Sequence, residues 1–277
     1  MINFENSILV VAHPDDEILW FSSIIDKVDK IIIVFNETQD KKVHEGRKKI
    51  FSQNLLPYKN KIINLNIEES DVFNSSNWKF PKPTDYGVKL SKKKYINNFD
   101  ILIEKLSIEL KNFKNIFTHN PWGEYGHEEH TQVFKAIQKI SIEQNFFVWV
   151  SSYFSEQSFP LMSLFKDYLS QEFFSLQIEN NFCQKVKSIY LKNNAWTWSE
   201  IYNWPQSENF YKINPNKDNL VIKSIKTPKV WDQMNFILMY HVHLSNFSII
   251  RSKVIKILNL ILPNYLFKLI VKFKNKK

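Results

Sequence analysis

The chain has 277 residues, 44% of them apolar and 23% charged, which excludes a disordered segment and allows one large domain, or one domain with an appended segment. Its single cysteine, Cys183, excludes an internal disulfide and a thiolate-rich metal cluster, and is expected to be a small core residue. The net charge of +9 does not mark a nucleic-acid binder: eight basic residues and no acid stand between Arg251 and Lys277, leaving 29 basic against 28 acidic side chains elsewhere.

Met1 leads almost directly into the apolar run Ile8-Leu9-Val10-Val11, with no charged-then-apolar leader. No apolar stretch approaches the roughly 18 residues of a membrane span, so a cytoplasmic location is expected. An uninterrupted aliphatic run reads as a strand buried on both faces, as in parallel sheets. Pro14 breaks it, and a helical stripe from Leu19 to Val28 follows, ending near Asp29-Lys30. Ile31–Phe35 is a second buried strand, residues 45–54 a helix containing Arg47, and Ile62–Leu65 a third strand. This alternation predicts an α/β fold, a Rossmann-like, mostly parallel sheet flanked by helices.

The polar segment 68–91, with Pro81 and Pro83, reads as a long loop and a candidate pocket rim. A helix is expected over 96–113, a strand over 115–118, a turn at His119–Gly123, a helix with the stripe Val133, Ile137, Ile140, and a strand over 146–150. Beyond Val150 the pattern is weaker. Residues 184–194 look helical, and Trp196, Trp198 and Trp204 either wall a pocket or, as is commoner for tryptophan, fill a core. No internal repeat or low-complexity linker appears.

Two stretches stand out, each after an expected strand and at the start of an expected helix: Ala12-His13-Pro14-Asp15-Asp16-Glu17 and Tyr125-Gly126-His127-Glu128-Glu129-His130. In open α/β sheets ligands bind at the carboxyl ends of strands, and topology can join two such ends. One imidazole and three carboxylates in the first stretch would resist burial together unless a cation joined them. His127 and His130, three apart on a helix, share a face. Two or three of His13, Asp15, Asp16, His127 and His130 can close an imidazole–carboxylate site that keeps a position for water, the mark of catalytic zinc. Either stretch alone has a plain explanation, a chance His-x-x-His or a helix cap; their joint placement favours the metal. His119 could line the pocket mouth or be structural, His241 and His243 read as one face of a late segment, and His44 as solvated.

The hexamer, with the second motif downstream, resembles the PIG-L/LmbE family of zinc-dependent N-acetylglucosaminyl deacetylases. The resemblance runs from Met1 to about Val150. It implies that His13, Asp16 and His130 bind zinc, another divalent transition metal being an alternative, and that Asp15 is the general base on a metal-activated water. By the same likeness His127 assists at the oxyanion and leaving amine, Tyr125 polarises the substrate carbonyl, and Arg47 contacts substrate. Glu129 stands where the family places an aspartate that orients this histidine, which would keep His127 protonated. Ser22 and Ser23 replace the family's paired small residues, often glycines. The expected activity is that of a metal-dependent amidohydrolase removing acetyl from an N-acetylated amino sugar, lipid- or nucleotide-linked. The alternative is a catalytically silent sugar-binding or scaffold protein of the same fold.

The domain boundary is expected at 248/249. Residues 249–277, rich in Ile, Leu, Phe and Lys and interrupted by Pro263, read as a basic amphipathic segment for peripheral membrane contact, or as a terminal helix packed on the core.

Overall fold

The continuous apolar runs of the N-terminal half become the middle of a seven-stranded sheet in the computed structural model, which describes residues 3–165, 168–213 and 236–239. In chain order the elements are β1 (Ser7–Val11), α1 (Asp16–Trp20), β2 (Lys30–Glu37), α2 (Lys41–Ser52), β3 (Ile62–Glu68), the hairpin β4 (Pro83–Thr84) and β5 (Gly87–Val88), α3 (Lys93–Glu109), β6 (Asn115–Thr118) and α4 (Glu128–Gln144). There follow β7 (Phe147–Ser151), β8 (Tyr153–Phe154), α5 (Phe159–Leu164), β9 (Leu169–Gln177), α6 (Asn180–Lys192), β10 (Ser207–Ile213) and β11 (Ile237–Leu238), which pairs with β8.

The sheet order is β3-β2-β1-β6-β7-β10-β9. The first five strands are parallel, and β10 runs antiparallel to both β7 and β9. Every residue of β1 is buried, as is Ile31–Phe35 of β2, which fits strands covered by helices on both faces. The chain winds from β1 outward to β3 and then returns to place β6 on the other side of β1, so β1 and β6 flank a topological switch point. Their carboxyl ends carry the two motifs. The mostly parallel α/β sheet is the one expected.

The chain divides into two compact units, Met1–Thr197 with Asn203–Tyr240, and Trp198–Tyr202 with His241–Lys277. The elements above belong to the first. The expected boundary at 248/249, the basic segment 249–277, His241 and His243 lie outside the described residues. Among the described residues no helix is long and apolar enough to cross a membrane. Cys183 is fully buried in α6, and Trp204 is buried with its indole N–H on the Ile18 carbonyl at 2.7 Å.

One expected helix is broken. The stripe over Leu19–Val28 forms α1 only as far as Trp20, then a single 3-10 turn at Ser22–Ile24. The cause is the carboxylate of Glu208, 186 residues away, which accepts the Ser22 and Ser23 N–H groups at 3.1 and 2.9 Å and their hydroxyls at 2.9 and 2.6 Å. Amides that donate to a carboxylate are withdrawn from the helical ladder. Glu208 sits on β10, so the same contacts fasten this strand to the N-terminal half. Replacing Glu208 by Ala should leave the buried Ser22 and half-buried Ser23 amides without acceptors and cost about 2–4 kcal/mol. A lower urea midpoint at unchanged m-value is the expected signature.

Candidate active site

The first motif leaves β1 through a sharp turn. Asp15 adopts a left-handed backbone, φ +88°, which is uncommon for a residue with a side chain. The second motif leaves β6 through a turn built on Gly123 and Gly126, at φ +68° and +91°. A Cβ on Gly123 would stand 2.5 Å from the His127 carbonyl oxygen, so that position requires glycine. His127 then caps α4, its Nδ1 accepting the Glu129 N–H at 3.2 Å.

The structure brings the expected residues to one buried cluster. Asp16 Oδ2 lies 3.2 Å from His13 Nδ1 and 3.2 Å from His130 Nε2, and it accepts the His13 N–H at 2.7 Å. Donor atoms of His13, His127 and His130 fall within 4.8 Å of one another, as do those of Asp16, His119 and His130. The rings of His13 and His127 are 4.7 Å apart, and Tyr125 stands 5.3 Å from His130. Arg47 is buried, pairs with Glu69, and is near enough for its charge to act on Asp15.

Glu124, in the turn between the glycines, was not singled out in the sequence. It has no exposed surface, and its Oε2 receives both His119 Nδ1 at 2.9 Å and His130 Nδ1 at 2.8 Å. Its Oε1 accepts the Asn120 N–H and the Ser151 hydroxyl at 3.0 and 2.6 Å. Burial opposes ionisation, but the two histidines outweigh it and hold Glu124 down at about 2. With His130 Nδ1 bound to Glu124, its Nε2 has no hydrogen-bond partner among the described residues and lies 3.2 Å from Asp16 Oδ2. A proton or a metal ion must join the two, and a histidine whose other nitrogen is held by a carboxylate is the common form of a metal ligand. The donor set fits a divalent metal that accepts imidazole and carboxylate.

His119 is drawn toward about 9 against burial by Glu124 and Asp16. Its Nε2, however, accepts the Ala12 N–H at 2.8 Å, which leaves no place for a second proton. His119 is therefore the neutral Nδ1–H tautomer, with its other lone pair spent on the backbone. It is a strut joining the end of β1 to Glu124, and an unsuitable ligand. Burial would lower His13, yet hydrogen bonds to Asp16 and Glu129 raise it to about 10. Asp16 is held well below the usual carboxylate range despite its burial, by the charge of His130 and by its hydrogen bond to His13. The cluster draws positive charge to itself.

The Glu129 side chain does not orient His127. Its Oε2 lies 2.9 Å from His13 Nε2 and its Oε1 accepts the Ser70 N–H, while only its backbone amide meets His127. Nor is His127 kept protonated: burial, and then the positive charge of His13 and His130, push it well below the ordinary histidine value. The neutral ring, with Nδ1 accepting, carries its proton on Nε2. The carboxylate swap follows from α4 geometry, since a residue two positions inside the helix reaches past the cap toward β1.

Asp15 Oδ2 accepts the Thr197 N–H and hydroxyl at 2.6 and 2.9 Å, and its Oδ1 is buried without a hydrogen-bond partner among the described residues. Burial, then the charge of Asp16, raise its proton affinity, with Thr197 and Arg47 opposing. Tyr125 is kept protonated by burial and the carboxylates of Asp16 and Asp15. The loop 68–91 lies against this site as a rim: Phe73 stacks on His127 at 5.2 Å, and Glu128 accepts the Ser76 N–H and the Trp78 indole N–H.

No protein-family model matches the chain, and no curated protein does. Among solved structures, a teicoplanin-pathway deacetylase in complex with bog is 11% identical at a TM-score of 0.47, covering 77% of this chain and 100% of that one. The zinc-inhibited form of teicoplanin deacetylase Orf2 gives the same identity, coverage and TM-score. The A40926 pseudoaglycone deacetylase Dbv21 is 10% identical, with a TM-score of 0.42 over 76% of this chain and 97% of that one. At such values the chemistry of this chain is read from its own residues.

Glu124→Gln places an NH2 group where an oxygen now accepts two donors, so divalent-metal affinity should fall about 10–100-fold. Titration against a competing chelator measures it, and an unchanged affinity would remove Glu124 from the ligand support.

Proposed function

We propose that the protein is a zinc-dependent hydrolase that removes acetyl from an N-acetylated amino sugar. The observation that carries this reading is the meeting of His13 and Asp16 from one strand end with His130 from another, beside a buried Asp15 oxygen that has no hydrogen-bond partner among the described residues. In this reading His13, Asp16 and His130 hold the metal, which supplies Lewis acidity and makes water nucleophilic at neutral pH.

Asp15 takes the proton from the attacking water through Oδ1. Its raised proton affinity suits a base that must both accept a proton and return it to the departing amine. Thr197 fixes the other oxygen, so the free one is held in place. Neutral His127 donates from Nε2, and Tyr125 from its hydroxyl, to the carbonyl oxygen as it gains charge. Both donors are preorganised, His127 by the Glu129 amide and Phe73, Tyr125 by the ring packing around it. Arg47, locked on Glu69, adds a fixed positive charge near Asp15 and is the residue assigned to substrate.

The purified protein should carry about one zinc per chain and release acetate from N-acetylglucosamine derivatives. Asp15→Asn should keep the metal and lower kcat by about 10²–10⁴-fold, the usual contribution of a general base. His130→Ala should lose the metal itself, read by elemental analysis. Acetate release by the Asp15→Asn variant at the wild-type rate would overturn the role of Asp15, and a metal-bearing wild-type protein inert toward a panel of acetamido sugars would favour a silent binding protein.

A further inference from the structure

Glu17 is the one acid of the hexamer with no part in the chemistry above, although it has no exposed surface. A buried carboxylate is tolerated only when its oxygens are satisfied. Glu17 Oε1 takes the hydroxyls of Tyr58 and Tyr190, each at 2.6 Å, and Oε2 takes the backbone N–H of Asp15 at 3.0 Å. Tyr58 comes from the segment between α2 and β3 and Tyr190 from α6, so three distant parts of the chain meet on one carboxylate. Short O–H···O bonds of this kind are charge-assisted and directional.

The third donor gives the cluster its meaning. Asp15 stands at φ +88°, a conformation unfavourable for a residue with a Cβ, which persists only where the surroundings over-determine it. Asp15 is held at its carbonyl by the Leu19 N–H at 3.0 Å, at Oδ2 by Thr197, and at its own N–H by Glu17. Glu17 grips its peptide N–H, and the Tyr190 hydroxyl that braces Glu17 acts on the same N–H. A relaxed peptide would swing the Asp15 side chain away from Thr197 and release the oxygen now kept unpartnered.

We propose that Glu17, braced by Tyr58 and Tyr190, is a positioning residue that locks the Asp15 peptide in its left-handed turn and so aims the base. The proposal rests on the function given above for what Asp15 does, but not for how Asp15 is held. A carboxamide cannot replace Glu17. If its oxygen faces the two phenols, its NH2 meets the Asp15 N–H donor to donor; if it is turned, both phenols lose their acceptor.

The test compares the zinc-loaded full chain with its Glu17→Gln variant by two readouts. Hydrogen exchange at the Asp15 amide, followed by NMR, should quicken about tenfold or more, as for the loss of one buried hydrogen bond. With an N-acetylglucosamine glycoside as probe, kcat should fall about 30-fold, with KM and zinc content unchanged, in the range of a lost supporting contact. Unchanged exchange at Asp15 overturns the proposal, as does unchanged kcat, a loss confined to KM, or a loss of zinc that accounts for the loss of rate. If the wild type hydrolyses no acetamido sugar, the functional reading fails by itself and the exchange rate alone decides the role of Glu17. Should Glu17→Gln not fold, the double variant Tyr58→Phe, Tyr190→Phe keeps the carboxylate and frees it; the same two quantities should move in the same direction by about three- to tenfold.

Discussion

The Asp16 carboxylate and the His130 Nε2, 3.2 Å apart, set the terms for everything around them. Glu124 holds His130 Nδ1 from behind, so the ring cannot turn away from Asp16. Glu124 in turn is held by four donors and has no route to neutralise by taking a proton, its pKa standing at about 2. The pair therefore asks for a cation, and the rest of the site is arranged around that demand. His13 leans on two carboxylates, His119 is neutral and fixed to the backbone, and His127 is held at Nδ1 by the Glu129 amide with its ring beside His13 and His130.

Carboxylates do the positioning throughout. Glu124 orients imidazoles, Glu129 joins His13 to the rim loop through Ser70, and Glu128 ties Ser76 and Trp78 of that loop to the start of α4. Glu17 grips Asp15, and Glu208 anchors Ser22 and Ser23. Each lies buried, and Glu17, Glu124, Glu129 and Glu208 have both oxygens met by N–H groups, imidazoles or hydroxyls, which is the condition for keeping a charge out of water. A site built this way is stiff, and stiffness is what a preorganised oxyanion contact and a fixed base require.

Local pattern carried a large part of this architecture. The uninterrupted runs at Ile8–Val11 and Ile31–Phe35 can only be satisfied by a sheet covered on both faces, and the stripe Val133, Ile137, Ile140 by a helix lying on it. The strands β9 and β10 were not foreseen, since LSQEFFSLQ and SENFYKI interleave polar residues: β9 is an edge strand largely exposed beyond Ser170, and β10 buries the polar Glu208 and Asn209. The helix expected through Val28 ended at Trp20 because its amides were claimed by Glu208, which no window around Ser22 contains.

The sequence by itself determined the parallel strands and most helices of the N-terminal half, the two motifs and the set of groups able to hold a metal, because those follow from residue type and short spacing. Only the tertiary structure decided which partner each polar group takes. Glu129 went to His13 and not His127, His119 became a strut and not a ligand, and Glu17 met a tyrosine 173 residues away. The reason is physical: a buried charge accepts whatever donors the sheet order brings within about 3 Å, and sheet order joins segments whose separation along the chain carries no trace of that contact.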